Sequence, residues 1–446
     1  MKNSILYAVL ILFVLSCSKD EKEYITIAGK IENAAIDSVF LVNDNLRKAV
    51  AIQNGKFSDT LKLKESGYFD FYAGRERTKI FLNPGDSLFI STDLNEFDEK
   101  LNYAGSSSNE NNYLAQKYLK EESFSPNPQA FFSLPEKDYK AKVTELKSEL
   151  EELLTKSETG NEFQQLEKKN IQFGYYLQLL QYPMAHEYFT QKQTDLPIDF
   201  DKELKKLDLE NEADFLKIPN YREFVIRQFY EKIENAASPG KTEEIISAIK
   251  SAKIRDGIMS ELLLYNVESG SPEAERYNDF IQKNAHDEKL KEKAATAFAK
   301  VEKLLPGKPS PKFNYPDING NDVSLDDLKG NLVYIDVWAT WCGPCIREIP
   351  SLKQLEKDYH GKNIKFVSMS IDPQEDFDKW QKMVKEKNLQ GIQVFADNDW
   401  KSRFVQEYGI KGIPRFILVD QNGNILNADA PRPSDSEIRT LIDRNL

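Results

Sequence analysis

From Tyr24 to about Tyr103 apolar and polar residues alternate in short runs, YITIAGKI, VFLVN, AVAIQNGKFSDTLKL, YFDFYA and KIFLNPGDSLFIST. That is the period of half-buried strands. Asn54-Gly55 predicts a hairpin between two runs and Asn83-Pro84-Gly85-Asp86 a further turn, so a small all-β domain, sandwich or curled sheet, is expected over residues 24–105. From about Ser106 to Leu305 the period lengthens to that of helices. Val143, Leu146, Leu150, Leu153 and Leu154 form an apolar stripe among lysines and glutamates, and KTEEIISAIKSAKI and SPEAERYNDFIQKNA open on residues that start helices. Roughly eight helices with breaks at AASPG and ESGSP predict an all-α middle domain over residues 106–305. The aromatic run at residues 173–189 reads as helix packing rather than as a partner groove.

LPGKPSPKF, residues 305–313, concentrates proline and glycine, which predicts a linker at 306–312. Beyond it strands and helices alternate. NLVYIDVW, IKFVSMSID and IQVFA each precede a helical run, and RFILVD, the Asn422-Gly423 turn and NILNAD predict an antiparallel hairpin before a last helix near Ser434. The expectation for residues 313–446 is therefore an α/β domain, a mixed sheet with helices on both faces.

A chain of 446 residues exceeds what one hydrophobic core usually organises, in keeping with several domains. Its net charge of −12 argues against a nucleic-acid partner, which would need clustered Lys and Arg. The opening MKNSILYAVLILFVLSCSKDEKE places Lys2 before an apolar run too short to span a membrane, the pattern of a secretory signal. VLSC within it resembles the bacterial lipoprotein processing box. The resemblance implies a signal over 1–16, lipid on Cys17, a tether at 17–23 and a chain anchored in a bacterial cell envelope. The periplasmic face is expected; KDE after Ser18 keeps the cell surface open as the alternative.

A lipidated Cys17 leaves two thiols, Cys342 and Cys345, in DVWATWCGPCIREIP. A zinc site needs four Cys or His ligands, and His186, His286 and His360 stand at no ligand spacing to the pair, so neither metal nor other cofactor is expected. A purely structural disulfide closing so short a loop would add little stability. A redox pair fits better. Cys342 stands at a strand-to-helix junction, where unpaired N–H groups and the helix dipole favour its thiolate as nucleophile. Gly343-Pro344 starts the helix tightly and sets Cys345 one turn on, in place to resolve a mixed disulfide. Asp336 interrupts the apolar strand LVYIDVW, a costly position for a carboxylate without a task or partner. Glu348 lies three residues after Cys345 on the same helix face.

WCGPC at the junction and GIKGIP about seventy residues later resemble the thioredoxin pattern over roughly residues 309–446. With an additional helix and strand between SMSID and DNDW, and with the lipid anchor, the chain is most similar to the membrane-anchored, extracytoplasmic thioredoxin-like family that includes TlpA and ResA. GKF and NPGDSLFI in the β segment resemble a β domain of unknown function that precedes such domains in bacterial lipoproteins. The resemblance implies that Asp336 relays a proton to the resolving cysteine and that Glu348 tunes the pair. Many members have an uncharged residue where Asp336 stands, so which acid relays the proton stays open. It also implies that Pro414 is a cis-proline facing the disulfide, with Ile413, Trp341, Gly343 and Pro344 forming the substrate surface and Trp338 packing in the core.

Ala339 and Ile335 stand where a peroxiredoxin needs threonine and proline, which excludes that chemistry. Gly343-Pro344, in place of a histidine between the cysteines, points to a reducing pair. The expected function is extracytoplasmic reduction of protein disulfides with a membrane thiol electron donor as reductant, and the family resemblance implies substrates such as apocytochrome c or other periplasmic proteins. The alternatives are an oxidase or isomerase, and a lipid-tethered binding or scaffold protein with an accessory thioredoxin domain.

Overall fold

Residues 23–43, 46–192, 194, 196, 200 and 202–446 are described by the computed structural model. The expected signal and Cys17 lie outside them. The alternating runs form strands Tyr24–Glu32, Ser38–Asn43, Leu46–Ala51, Lys56–Lys62, Gly67–Ala73, Glu76–Leu82, Ser87–Asp93 and Asn102–Gly105, divided between two four-stranded sheets. In one, Tyr24–Glu32 lies between antiparallel Lys56–Lys62 and parallel Ser87–Asp93. In the other, Ser38–Asn43 lies between Leu46–Ala51 and Gly67–Ala73. Ile25 and Ile27 of the first sheet share a core with Leu41 and Phe71 of the second.

The Asn54-Gly55 turn forms, with both residues at positive φ and Gln53 and Lys56 exchanging backbone hydrogen bonds. Its flanking strands nevertheless enter different sheets, so it is a crossover and not the expected hairpin. The two sheets face each other and bury their inner apolar side chains together, where one extended sheet would leave them in water. The helical part also breaks more often than its periodicity predicts. KTEEIISAIKSAKI splits into Pro239–Ser247 and Ala252–Leu262, because Ser251 inside the run accepts a hydrogen bond from Ile254 N and caps a new helix.

The chain falls into two compact units, one ending at Gln228 and the other spanning Phe229–Leu446. In the second unit a five-stranded sheet runs in the order Ile392–Phe395, Ile364–Ser370, Leu332–Trp338, Arg415–Val419, Ile425–Asn427. The first three strands are parallel and the last two antiparallel to their neighbours. Every residue of the central strand Leu332–Trp338 is buried. Val333, Ile335 and Val337 enter one core, and Leu332 and Tyr334 enter another with Leu352 and Leu355 of the helix Gly343–Asp358. Segment 306–312, expected as a linker, is strapped to this unit: Gly307 N donates to Ile425 O at 2.8 Å and Ser310 N to Gly423 O at 3.0 Å.

The first unit contains a buried ion pair. Lys117, on helix Ser108–Phe124, meets Glu167, on helix Asn161–Thr190, at 2.5 Å, with Glu167 fully buried. Tyr68 from the strand Gly67–Ala73 donates to the same carboxylate at 2.5 Å, and Asn170 donates at 3.2 Å. Sheet and helices thus converge on one charge. Removing one partner strands the other charge away from water, which costs far more than replacing both by apolar groups. Glu167→Ala is expected to lower stability by about 3–5 kcal/mol, and Lys117→Met with Glu167→Leu by much less. Denaturant unfolding of the three proteins checks this, and equal losses would show that the pairing is not what holds the unit.

Candidate active site

The central strand ends at Trp338 and the helix Gly343–Asp358 begins five residues later, so the turn between them must present Cys342. Cys342 N donates to Ala339 O at 3.0 Å, which closes the turn. Cys342 then caps the helix, its Sγ accepting from Cys345 N at 3.1 Å, with Pro344 in the first turn where no hydrogen bond is lost. The two sulfurs are bonded, with Cα atoms 5.3 Å apart, and both cysteines are buried. Trp341 beside them is 50% exposed, while Trp338 is 2% exposed. The turn is pinned from behind by Asp372, fully buried, whose carboxylate accepts from Thr340 N at 2.9 Å, Thr340 Oγ1 at 2.7 Å and Ser370 Oγ at 2.7 Å.

Asp336 lies two residues before the end of the strand, opposite Phe416 on one neighbour and Ser368 on the other. Burial drives its carboxyl up from 3.8 to about 8, against a hydrogen bond from Ser368 and with help from the nearby Glu356 and Glu348. It lines a cavity of about 10 Å³ together with Cys345, Ile349, Leu352 and Glu356. Glu348 has a different setting. It is half-buried, and its carboxylate accepts from Ser434 N at 3.1 Å and Ser434 Oγ at 2.9 Å. Of the two acids singled out in the sequence, Asp336 therefore lines the cavity beside Cys345, and Glu348 is engaged with the loop before the last helix.

The Ile413–Pro414 peptide is cis. The strand that follows is fixed by Arg415, which donates from Nε to Ala428 O at 2.8 Å and pairs with Asp429 at 3.3 Å. Ile413 is half-buried against the core that contains both cysteines. Trp341 leans on Trp400, with ring centroids 6.2 Å apart.

Three contributors escaped the sequence reading. Asp372 and Trp400 carry no local signal, since each reaches the site through a neighbouring strand or turn. Glu356 did carry one. Cys345, Ile349, Leu352 and Glu356 follow the spacing of a single helix face, so a carboxylate stands on an otherwise buried stripe. Burial pushes Glu356 up from 4.5 to about 7, against the pull of Lys353. Among the described residues there is no group of three or more side chains suited to hold a metal ion.

A family model described as Redoxin matches residues 305–442. The chain is 31% identical over 130 residues to "Thiol-disulfide oxidoreductase ResA" of Bacillus thuringiensis, covering 29% of this chain and 72% of that protein. It is 26% identical over 137 residues to "Thioredoxin-like protein YneN" of Bacillus subtilis, covering 31% of this chain and 78% of that one. Among solved structures, the thioredoxin domain of a thiol-disulfide oxidoreductase from Bacteroides vulgatus is 29% identical with a TM-score of 0.29, over 32% of this chain and 97% of that chain. With a bonded Cys-Gly-Pro-Cys pair at a helix start and this match to ResA, the chain belongs to the thioredoxin-like thiol-disulfide oxidoreductases of the ResA family.

Proposed function

We propose that this thiol-disulfide oxidoreductase works outside the cytoplasm, anchored by lipid on Cys17, and reduces disulfides of other proteins. The observation that carries the reading is the Cys342 Sγ at a helix N-terminus, with a neutral Gly343-Pro344 between the cysteines and a buried carboxyl beside Cys345. In the reduced form the Cys342 thiolate attacks one sulfur of a substrate disulfide. That bond breaks, and the first substrate sulfur leaves as a thiolate that takes a proton from water. Cys345 then gives its proton to ionised Asp336 and attacks the Cys342 sulfur. The mixed disulfide breaks, the second substrate sulfur leaves, and the chain holds the Cys342–Cys345 bond. Two electrons have passed to the substrate, and a membrane dithiol donor returns them. The backbone beside cis-Pro414, with Ile413 and exposed Trp341, supplies an edge on which a substrate chain pairs as an added strand.

Asp336 suits the relay because its high pKa matches its proton affinity to that of a thiol near neutral pH. Glu348, tied to Ser434, acts on the pair through its charge.

Reduction of a protein disulfide by the purified chain is expected to be lost in Cys342→Ser, whereas Cys345→Ser traps the mixed disulfide; turnover surviving in Cys342→Ser would remove the catalytic assignment. Equilibration with glutathione is expected to place the pair near thioredoxin, about −270 mV, and a value near −120 mV would make it an oxidase instead. Labelled lipid is expected on the expressed protein and to be absent from Cys17→Ser; equal labelling of both would exclude that anchor. The raised pKa of Asp336 also has a stability consequence. The folded state binds the extra proton, so its contribution is complete below about pH 4 and is lost as pH rises through about 8. Asp336→Asn is expected to stabilise the fold at pH 7 by on the order of 2–4 kcal/mol and hardly at all at pH 4, while slowing resolution of the mixed disulfide. Thermal melts at the two pH values check the sign.

A further inference from the structure

Glu356 has no part in the mechanism above, yet its position is hard to explain as surface decoration. Its Oε2 is buried without a hydrogen-bond partner. Its Oε1 lies so near the turn at Gly391 that a Cβ there would sit 2.7 Å from it and 2.9 Å from Phe366 O, and the φ of +68° favours glycine. Two further residues lining the same cavity, Trp338 and Gln393, carry buried polar atoms without partners, Nε1 and Oε1. The cavity is about the size of one water, and these polar atoms are the kind of lining that water needs.

The charged and titratable groups around it are few. The central strand supplies Asp336, and the helix that bears Glu356 supplies Lys353, with Glu348 further towards its start. Lys353 Nζ donates to Lys387 O at 3.1 Å. Ser368, Gln390 and Gln393, from the neighbouring strands and turn, are neutral.

We propose that Glu356 is a positioning residue for the resolving step, sharing the cavity with Asp336 and setting when Asp336 carries its proton. The inference rests on the reading of Asp336 as the base for Cys345. When Glu356 is ionised its negative charge opposes ionisation of Asp336, so the proton taken from Cys345 is held. When Glu356 is protonated the opposition ends. A water in the cavity passes the Asp336 proton to the ionised Glu356 carboxylate, which leaves Asp336 ionised and Glu356 neutral, and Glu356 releases the proton to solvent beside Lys353. Proton count is unchanged at each transfer, and the electrons stay with the sulfurs.

The test is the pH dependence of the resolving step. Loading Cys342 with an aromatic disulfide reagent gives a mixed disulfide whose coloured thiol is released as Cys345 attacks, so stopped-flow absorbance reads that step alone. In the unmodified chain the acidic limb reports ionisation of Asp336. In Glu356→Gln, which keeps shape and removes charge, the limb is expected to move to lower pH by roughly one unit, with the rate at pH 7 up roughly two- to five-fold. Glu356→Ala is expected to move it the same way, and difference infrared of the Asp336 carboxyl in folded protein gives an independent midpoint. Unmoved midpoints in both variants, with the limb abolished by Asp336→Asn, would overturn the proposal and leave the base assignment standing. A limb that persists in Asp336→Asn would instead overturn that assignment and the inference with it. A merely structural Glu356 would change the melting temperature and leave the midpoint in place.

Discussion

The active site depends on one constraint, the burial of the Asp336 carboxyl in a strand that has neighbours on both edges and cover on both faces. Leu332–Trp338 pairs in parallel with Ile364–Ser370 and antiparallel with Arg415–Val419, and all seven of its residues are buried. A carboxylate there loses its water and recovers little beyond the hydroxyl of Ser368. The neutral acid is therefore favoured up to about pH 8, which puts its proton within exchange of a thiol. The same group at the surface would be a carboxylate throughout the physiological range and a poor acceptor from sulfur.

Such a group is useful only if the sulfurs are held over it. Rigidity comes from the turn between strand and helix, where Asp372 accepts three hydrogen bonds from Thr340 and Ser370. Thr340 immediately precedes Trp341 and Cys342, so the neighbouring parallel strand, through Ser370 and Asp372, fixes the position of Cys342. The Asp372 carboxyl is surrounded by donors, whereas that of Asp336 is not. Two buried aspartates in one domain thus sit in opposite settings, one ringed by donors and one with little beyond Ser368.

What the sequence made legible follows from how local each signal is. The alternating strand and helix grammar, the Cys-Gly-Pro-Cys start and the carboxylate breaking LVYIDVW depend on residues adjacent in the chain, and each lies where those signals place it. The Asn54-Gly55 turn has the expected backbone, but which sheet each flanking strand joins depends on the far side of the core. Segment 306–312 looked like a linker because proline and glycine lack regular structure of their own; its acceptors at Gly423 and Ile425 lie over a hundred residues away. Glu356 stands on the helix face of Cys345, Ile349 and Leu352, a spacing legible in the sequence, but the contacts of Glu348 with Ser434 and the place of Glu356 in the cavity beside Cys345 depend on the fold.

The helix Gly343–Asp358 then serves the two sulfurs by separate means. Its dipole and free N–H groups act within the first turn, on Cys342, and fade beyond it. Glu356 stands three turns further on, too far to share that effect, and lines the cavity with Asp336 and Cys345. Changes at Gly343-Pro344 therefore bear on the surroundings of Cys342, and changes at Glu356 bear on the cavity that Asp336 and Cys345 share. A single helix thus places one cysteine at its dipole end and the other over the cavity lined by Asp336 and Glu356.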